Sequence, residues 1–330
     1  MQTVHAGIVG AAGYTGGELL RVLLRHPNIR MSFARSASNA GKPVARIHAD
    51  LVGETNLVFS SEISWDIDAL FFCLSHGEMQ AFLNSTPIPD HVVLIDLSQD
   101  FRYSSSHSWI YGLPELSKEE IIASRSEKRH IANPGCFATC IQLGLLPLAK
   151  VGLLPDEVHI VGVTGSTGAG QALAPTSHFS WRNDNISVYK AFEHQHVREI
   201  RASLRRLQPT FPEGGGEGIY FVPMRGGFTR GILVSMVCKA SESLENLAAE
   251  YKRYFEPHPF VHIVEQSPDV KQVVNTNKCV ISLQRHGEML HIVSVIDTLL
   301  KGAAGQAVQN MNLAFGLPET SGLMFKPSAF

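Results

Sequence analysis

The stretch 4–9 is apolar apart from His5, and Gly10-Ala11-Ala12-Gly13-Tyr14-Thr15-Gly16 follows it at once. That pattern predicts a short buried strand, a glycine-rich turn, and a helix over Glu18 to Arg25 that Pro27 stops. Residues 29–34 predict a second strand, and Ala69–Leu74 and Val92–Leu97 predict two more, both nearly all apolar. Continuous apolar strands separated by glycines and helical pieces indicate a parallel sheet covered on both faces. After Cys136 a helical pattern runs to about Lys150, and then the pattern changes. Strands are predicted at 157–163, 219–222, 231–238, 279–284 and 289–296. Between them lie two amphipathic helices, with Val197, Ile200, Leu204 and Leu207 on one stripe and Leu244, Leu247, Tyr251 and Phe255 on the other. Gln208–Gly218, with two prolines and four glycines, predicts a loop.

The first half thus reads as Rossmann-type, and the second as an α+β domain of mixed or antiparallel sheet, giving an α/β chain overall. A last helix is predicted from Ala303, Ala307, Met311 and Leu313 to Phe315, small on one face. Small residues permit close packing, so this helix is expected to return to the nucleotide domain, the alternative being that it caps the second domain. The expected division is therefore 1–140 plus about 303–330 for that domain, and 141–302 for the second.

Composition narrows the class. A chain of 330 residues with 44% hydrophobic and 18% charged residues suits a two-domain globular enzyme. The formal net charge of -2 and the lack of any Lys/Arg block argue against nucleic acid. No apolar run reaches transmembrane length, and Met1-Gln2-Thr3 leads straight into a strand pattern, so neither a membrane nor a signal peptide is expected. The five cysteines, at 73, 136, 140, 238 and 279, have no zinc spacing, and an odd number opposes a full disulfide framework. No metal and a reducing cytoplasm are the expectation. Cys73, Cys140, Cys238 and Cys279 lie in apolar runs and read as core residues.

The chemistry-bearing positions are few. Gly10, Gly13 and Gly16 sit between a first strand and a helix, where glycines let the backbone approach a pyrophosphate and the helix N-terminus favours its charge. Tyr14 and Thr15 belong to the same loop. The second strand ends Phe33-Ala34-Arg35-Ser36-Ala37-Ser38, with no acid to hold ribose hydroxyls. Arg35 with Ser38 suits a 2′-phosphate, hence NADP(H) rather than NAD. His76, at the end of another strand, is expected near the cofactor. So is the loop Thr164-Gly165-Ser166-Thr167-Gly168-Ala169-Gly170, through Gly168 and Gly170, either as an anion cradle or as a tight connection.

Cys136 follows Asn133-Pro134-Gly135 and opens a predicted helix, where backbone N–H groups favour a thiolate. His194-Gln195-His196 precedes the next helix. Nucleotide, thiol and imidazole together suggest covalent redox chemistry at a carbonyl carbon. Glu199 either orients an imidazole or serves its own helix start, and it also counts among the candidate substrate-binding residues. Arg102 is the first candidate to hold a substrate phosphate, and Arg225 and Arg230 compete for that role.

The chain resembles the N-acetyl-gamma-glutamyl-phosphate reductase family of the aspartate-semialdehyde dehydrogenase-like superfamily, over nearly its whole length. The marks are Gly10–Gly16, Asp96-Leu-Ser-Gln-Asp-Phe-Arg102, Tyr111-Gly-Leu-Pro-Glu115, Asn133-Pro-Gly-Cys136, Gly165–Gly170, His194–Ile200 and Lys301–Asn310. The resemblance implies NADPH-dependent interconversion of an acyl-glutamyl phosphate and the N-acyl-glutamate semialdehyde, with inorganic phosphate, in the third step of arginine synthesis. It implies Cys136 as nucleophile, a proton-handling histidine in the His194/His196 pair with His196 favoured as base, a second domain used in catalysis and dimerisation, Asn310 near the nicotinamide, and a homodimer or homotetramer. The family commonly reads His-Arg-His-x-Pro-Glu-Ile, whereas this chain has Gln195 and Arg198. Arg198 adds a cation where proline is usual, so a succinyl in place of an acetyl group is the alternative substrate. An aspartate- or aminoadipate-type semialdehyde dehydrogenase is the alternative within the superfamily.

Overall fold

The computed structural model describes residues 3–103, 108–213 and 218–328. The chain divides into two compact units, Met1–Pro134 with Ala303–Met324, and Gly135–Gly302 with Phe325–Phe330.

The first unit is built on a seven-stranded sheet in which every pairing is parallel. Its strands are β1 (Val4–Val9), β2 (Ile29–Arg35), β3 (Phe59–Ser60), β4 (Ala69–Phe72), β5 (Val93–Asp96), β6 (Trp109–Tyr111) and β7 (His130–Ala132), in the spatial order β3-β2-β1-β4-β5-β7-β6. All four residues of both β4 and β5 are buried, as strands covered on both faces must be. Helices α1 (Tyr14–Leu23), α2 (Val44–Ile47), α3 (Glu78–Ser85) and α4 (Pro114–Ala123) connect them. The strand order reverses direction between β1 and β4, the crevice position at which open parallel sheets receive ligands. The predicted first helix began too late: α1 starts at Tyr14, because Gly13 itself serves as N-cap with extended backbone. The patterns of β6, β7, α3 and α4 are too short to predict; α3 rests on a side-chain cap and α4 on tertiary packing rather than on a long apolar stripe.

The motif 96–102 braces this unit. Ser98 N–H and Oγ both donate to the buried Asp96 carboxylate at 2.8 Å. The Asp100 carboxylate accepts from the N–H groups of Gly77, Met79 and Gln80 and so caps α3. Arg102 donates from Nε to the Asn133 carbonyl at 2.8 Å and from Nη2 to the Leu97 carbonyl at 3.0 Å.

The second unit holds a seven-stranded mixed sheet of order β12-β13-β14-β11-β8-β10-β9. Helix α5 (Cys136–Lys150) opens the unit, and β8 (Val158–Thr164), α6 (Phe179–Arg182), β9 (Ser187–Val188), α7 (His196–Leu207), β10 (Ile219–Arg225) and β11 (Ile232–Lys239) follow. The unit continues with α8 (Leu244–Phe255), β12 (Val261–Val264), β13 (Cys279–His286) and β14 (Met289–Ile296). Burial alternates along β8, β10 and β11, so one face carries the core and the other does not. Helix α5 is buried along nearly its whole length and packs against α7, α8 and the central strands. The sequence boundary at 140 is therefore corrected: it falls inside α5, and cutting there would split one packed helix. Helix α9 (Ala304–Ala314) packs against α1 and α4, while Phe325–Phe330 group with the second unit. The glycine-rich part of the predicted loop, 214–217, lies outside the described residues.

Gly10 has φ +83°, and a Cβ there would stand 2.5 Å from the Cys73 carbonyl oxygen. Both the left-handed backbone and the close β1–β4 approach forbid a side chain. Gly10→Ala is expected to destabilise the protein by about 1–3 kcal/mol, read as a lower urea midpoint with an unchanged m-value.

Candidate active site

In the first unit the Gly10 turn delivers the chain to the start of α1. That helix has no side-chain cap and no acidic residue in its first turn. Its first N–H groups thus suit an anion, and Gly10, Gly13, Tyr14, Thr15 and Gly16 make up the turn and the helix start there. Arg35 ends β2, half-buried, and its Nε donates to the Ser61 carbonyl at 2.9 Å. Ser38 lies exposed in the short helical turn Ala37–Asn39. His76 Nδ1 accepts from Gln99 N–H at 3.1 Å. Asn310, on α9, is fully buried: its Nδ2 donates to the Gly112 carbonyl at 2.8 Å and to Asn133 Oδ1 at 3.0 Å. Asn133 Nδ2 in turn donates to the Ala303 carbonyl at 3.2 Å. Asn310 thus ties together the segments carrying Gly112, Asn133 and the start of α9.

The second unit gathers the sulfur and the imidazoles. Cys136 is the first residue of α5, half-buried, with Gly135 as an extended N-cap. Placing a thiol at that end exposes it to the unsatisfied N–H groups of the first turn, which favour the thiolate. Cys140 lies one turn on but is fully buried, and its thiol donates to the Ser294 carbonyl at 3.2 Å. Burial pushes that thiol well up, as a core cysteine requires. All five cysteines lie among the described residues and none forms a disulfide.

His196 is the first residue of α7, and its ring occupies the space over Gly135. A Cβ on Gly135 would stand 2.2 Å from His196 Nε2. Glu199, one turn along, is buried; its Oε2 accepts the Gly135 N–H at 3.1 Å, and its Oε1 lies 3.8 Å from His196 Nε2. The carboxylate therefore orients both the backbone before Cys136 and the imidazole beside it. Its depth and these two contacts fit the imidazole-orienting alternative rather than a substrate ligand.

His194 is also buried. Its Nδ1 accepts the His196 N–H at 3.2 Å, and its ring meets His196, Phe137, Phe221 and Tyr189 edge-on. Burial, with the charges of Lys190 and Arg225, pushes its pKa down to about 4. Tyr189, which no sequence signal pointed to, completes the cluster. Burial first, and then the Cys136 thiolate, push its hydroxyl up to about 12.

The three competing arginines separate. Arg102 is tied to two carbonyls of the first unit. Arg230 makes a two-pronged pair with the buried Asp297, Nε to Oδ2 and Nη2 to Oδ1 both at 3.0 Å. Arg225 lies over the Tyr189 ring at 4.8 Å, and its buried Nε meets no acceptor among the described residues. A buried guanidinium N–H in that condition suits an incoming anion. Asp297 does more than hold Arg230. It accepts from the N–H groups of Asn275, Leu299 and Leu300, and its own carbonyl accepts from Gly302 N–H. That turn brings Gly302 so close to Cys136 that a Cβ on Gly302 would stand 2.9 Å from the cysteine Cβ. In the Gly165–Gly170 loop, the N–H groups of Ser166 and Thr167 are taken by the Phe228 and Thr229 carbonyls. That fits the tight-connection alternative over an anion cradle. No group of His, Cys, Asp and Glu suited to a metal is found among the described residues, and no described helix is long and apolar enough to cross a membrane.

The family model of the semialdehyde dehydrogenase NAD binding domain matches residues 5–124, and that of the semialdehyde dehydrogenase dimerisation domain matches 136–298. Among solved structures, aspartate semialdehyde dehydrogenase II from Vibrio cholerae aligns with a TM-score of 0.73 at 18% identity, covering 95% of this chain and 98% of that one. Aspartate semialdehyde dehydrogenase with NADP from Candida albicans aligns at 0.70 and 13% identity, covering 94% and 98%. These establish a shared fold. Sequence likeness is far greater to N-acetyl-gamma-glutamyl-phosphate reductase of Phocaeicola vulgatus, 53% identical over 329 residues, covering 99% of this chain and 100% of that one. The Flavobacterium johnsoniae protein of the same name is 48% identical over 332 residues, with 99% and 100% covered. With identity at that level from end to end, the chain belongs to the N-acetyl-gamma-glutamyl-phosphate reductase family.

Proposed function

We propose that this protein reduces N-acetyl-gamma-glutamyl phosphate to N-acetyl-glutamate semialdehyde, releasing phosphate and NADP+, through a thioester on Cys136, as the third step of arginine biosynthesis. Full-length identity to reductases of that name supports the reaction. The residue assignment is carried by one observation: Cys136 opens α5 with the His196 ring packed on the glycine before it.

Cys136 thiolate attacks the gamma-carbonyl carbon, a carbon–sulfur bond forms, and phosphate leaves with its bonding pair. The first-turn N–H groups of α5 stabilise the negative charge on the carbonyl oxygen. Arg225 is favoured over Arg102 and Arg230 as the cation for a substrate anion, since the other two have firm partners. The hydride that reduces the thioester is the chemistry a bound nicotinamide dinucleotide supplies, with the Gly10–Gly16 turn holding its pyrophosphate and Asn310 near its nicotinamide. His196, as the imidazolium that Glu199 stabilises, gives its proton to the alkoxide left when the thioester is reduced, and takes it back as the carbon–sulfur bond breaks to give the semialdehyde and the Cys136 thiolate.

Arg35 and Ser38 favour NADP(H): β2 ends without a carboxylate, and the Ser61 carbonyl fixes Arg35 through Nε alone. His76 lies near the cofactor in the same reading. A homodimer or homotetramer fits the dimerisation-domain match. A cytoplasmic setting fits five cysteines with no disulfide among them. Succinyl is the second acyl group to test, because Arg198 adds a cation to the first turn of α7.

Phosphate-dependent NADP+ reduction with N-acetyl-glutamate semialdehyde and with its N-succinyl counterpart, run side by side, tests the reaction. Turnover of the acetyl form is expected, and turnover of neither would refute it. Cys136→Ala should bind NADP+ yet lose turnover almost wholly; retained turnover would exclude a thioester. Arg35→Ser should cut the NADP+ over NAD+ ratio of kcat/KM by about tenfold or more, the loss of one charge-assisted phosphate contact of about 1.5–3 kcal/mol. Gly135→Ala should drive His196 off its seat and lower kcat by about 10²-fold, while circular dichroism and cofactor binding stay near wild type.

A further inference from the structure

The two histidines have opposite environments, and the hydrogen bonding at His194 decides its chemistry. A backbone N–H can only donate, so the Nδ1 that receives the His196 N–H must present a lone pair. The ring proton of a neutral His194 is therefore on Nε2. Among the described residues no acceptor meets that Nε2–H. The ring cannot easily turn to exchange its nitrogens, because Phe137, Tyr189, His196 and Phe221 all stand against it, with centroids 4.5–5.8 Å away. The backbone approach is also constrained: Lys190 and Phe192, in the turn just before, adopt φ of 47° and 64°, unusual for residues with side chains.

The ionisable groups around this ring agree. Lys190 and Arg225 oppose a positive charge on it. Glu199, the carboxylate that would favour an imidazolium, faces His196. Tyr189 has its hydroxyl pushed up to about 12 and stays neutral. Burial is the largest effect on His194, and it acts in the same direction as the two cations.

Building on the thioester reading above, we propose that His194 is a fixed, neutral Nε2–H donor to the substrate oxygen that becomes negative on the carbon bonded to Cys136, and that it is not the base. The donor strengthens its hydrogen bond as charge develops on that oxygen and transfers no proton. The same arrangement leaves proton transfer to His196, whose carboxylate partner stabilises the charged ring. The two imidazoles are thereby specialised, one as electrophile and one as base, by burial and by the groups that face each ring.

The test joins spectroscopy to two variants. Nitrogen-15 NMR of histidine-labelled enzyme should find His194 in the Nε2–H form and not titrating between about pH 5.5 and 8, against an ordinary imidazole value near 6.5. His194→Gln retains an N–H donor near the Nε2 position but cannot titrate; it should keep far more kcat than His194→Leu. The Leu variant should lose about 10²–10³ in kcat, the usual effect of removing one oxyanion donor, with KM changed much less. An Nδ1–H tautomer, titration in that window, or a Gln variant as inactive as Leu would each overturn the role in an otherwise active enzyme. Wild-type enzyme that turns over neither semialdehyde would overturn the reaction reading, and this role with it, whatever the spectrum.

Discussion

The buried Glu199 carboxylate is the contact on which the arrangement of the proposed site in the second unit depends. One oxygen holds the Gly135 N–H and the other faces the His196 imidazole. It joins the N-termini of two helices distant in sequence, α5 and α7, at the places where their unsatisfied N–H groups concentrate. A charge buried at that depth is tolerated only when it is hydrogen-bonded and faces a group that can become positive. Here both conditions are met by the same residues that would perform the chemistry, so stability and orientation have one source.

Close backbone approach is the second constraint. Gly135 lies under the His196 ring, and Gly302 lies against Cys136. Neither position has room for a methyl group. The thiol is walled by a turn that Asp297 organises, and Arg230 is held as part of that turn. An arginine that the sequence offers as a substrate ligand is in this way committed to supporting the site. Arg102 is likewise committed within the first unit, where the 96–102 motif serves as a brace between β5, α3 and the segment before Cys136.

The electrostatics divide two side chains that look equivalent along the chain. His194 and His196 are separated by one residue, and the pattern His-Gln-His says nothing about which is basic. Burial first, and then the charges of Lys190 and of Arg225 on β10, oppose a proton on His194, whereas Glu199 of α7 faces His196. Tyr189 belongs to the same cluster but sits in a segment of no clear periodicity. No local pattern could have pointed to it.

Much of the architecture was legible beforehand, for a physical reason. Near-continuous apolar strands report a sheet covered on both sides, and alternation reports one covered on a single side; these are local consequences of what each strand buries. The glycine turn before α1 and the cysteine after Pro134-Gly135 were also local, because a turn and a helix start are written in adjacent residues. What the sequence alone determined, then, was the two kinds of sheet, the glycine turn before α1 and the place of Cys136 at a helix end. Only the tertiary structure decided that α5 belongs whole to the second unit, which arginine retains an unmet N–H, and which imidazole faces a carboxylate. Those depend on distances between residues far apart in the chain, and pairing, burial and charge at such distances leave no trace in local periodicity.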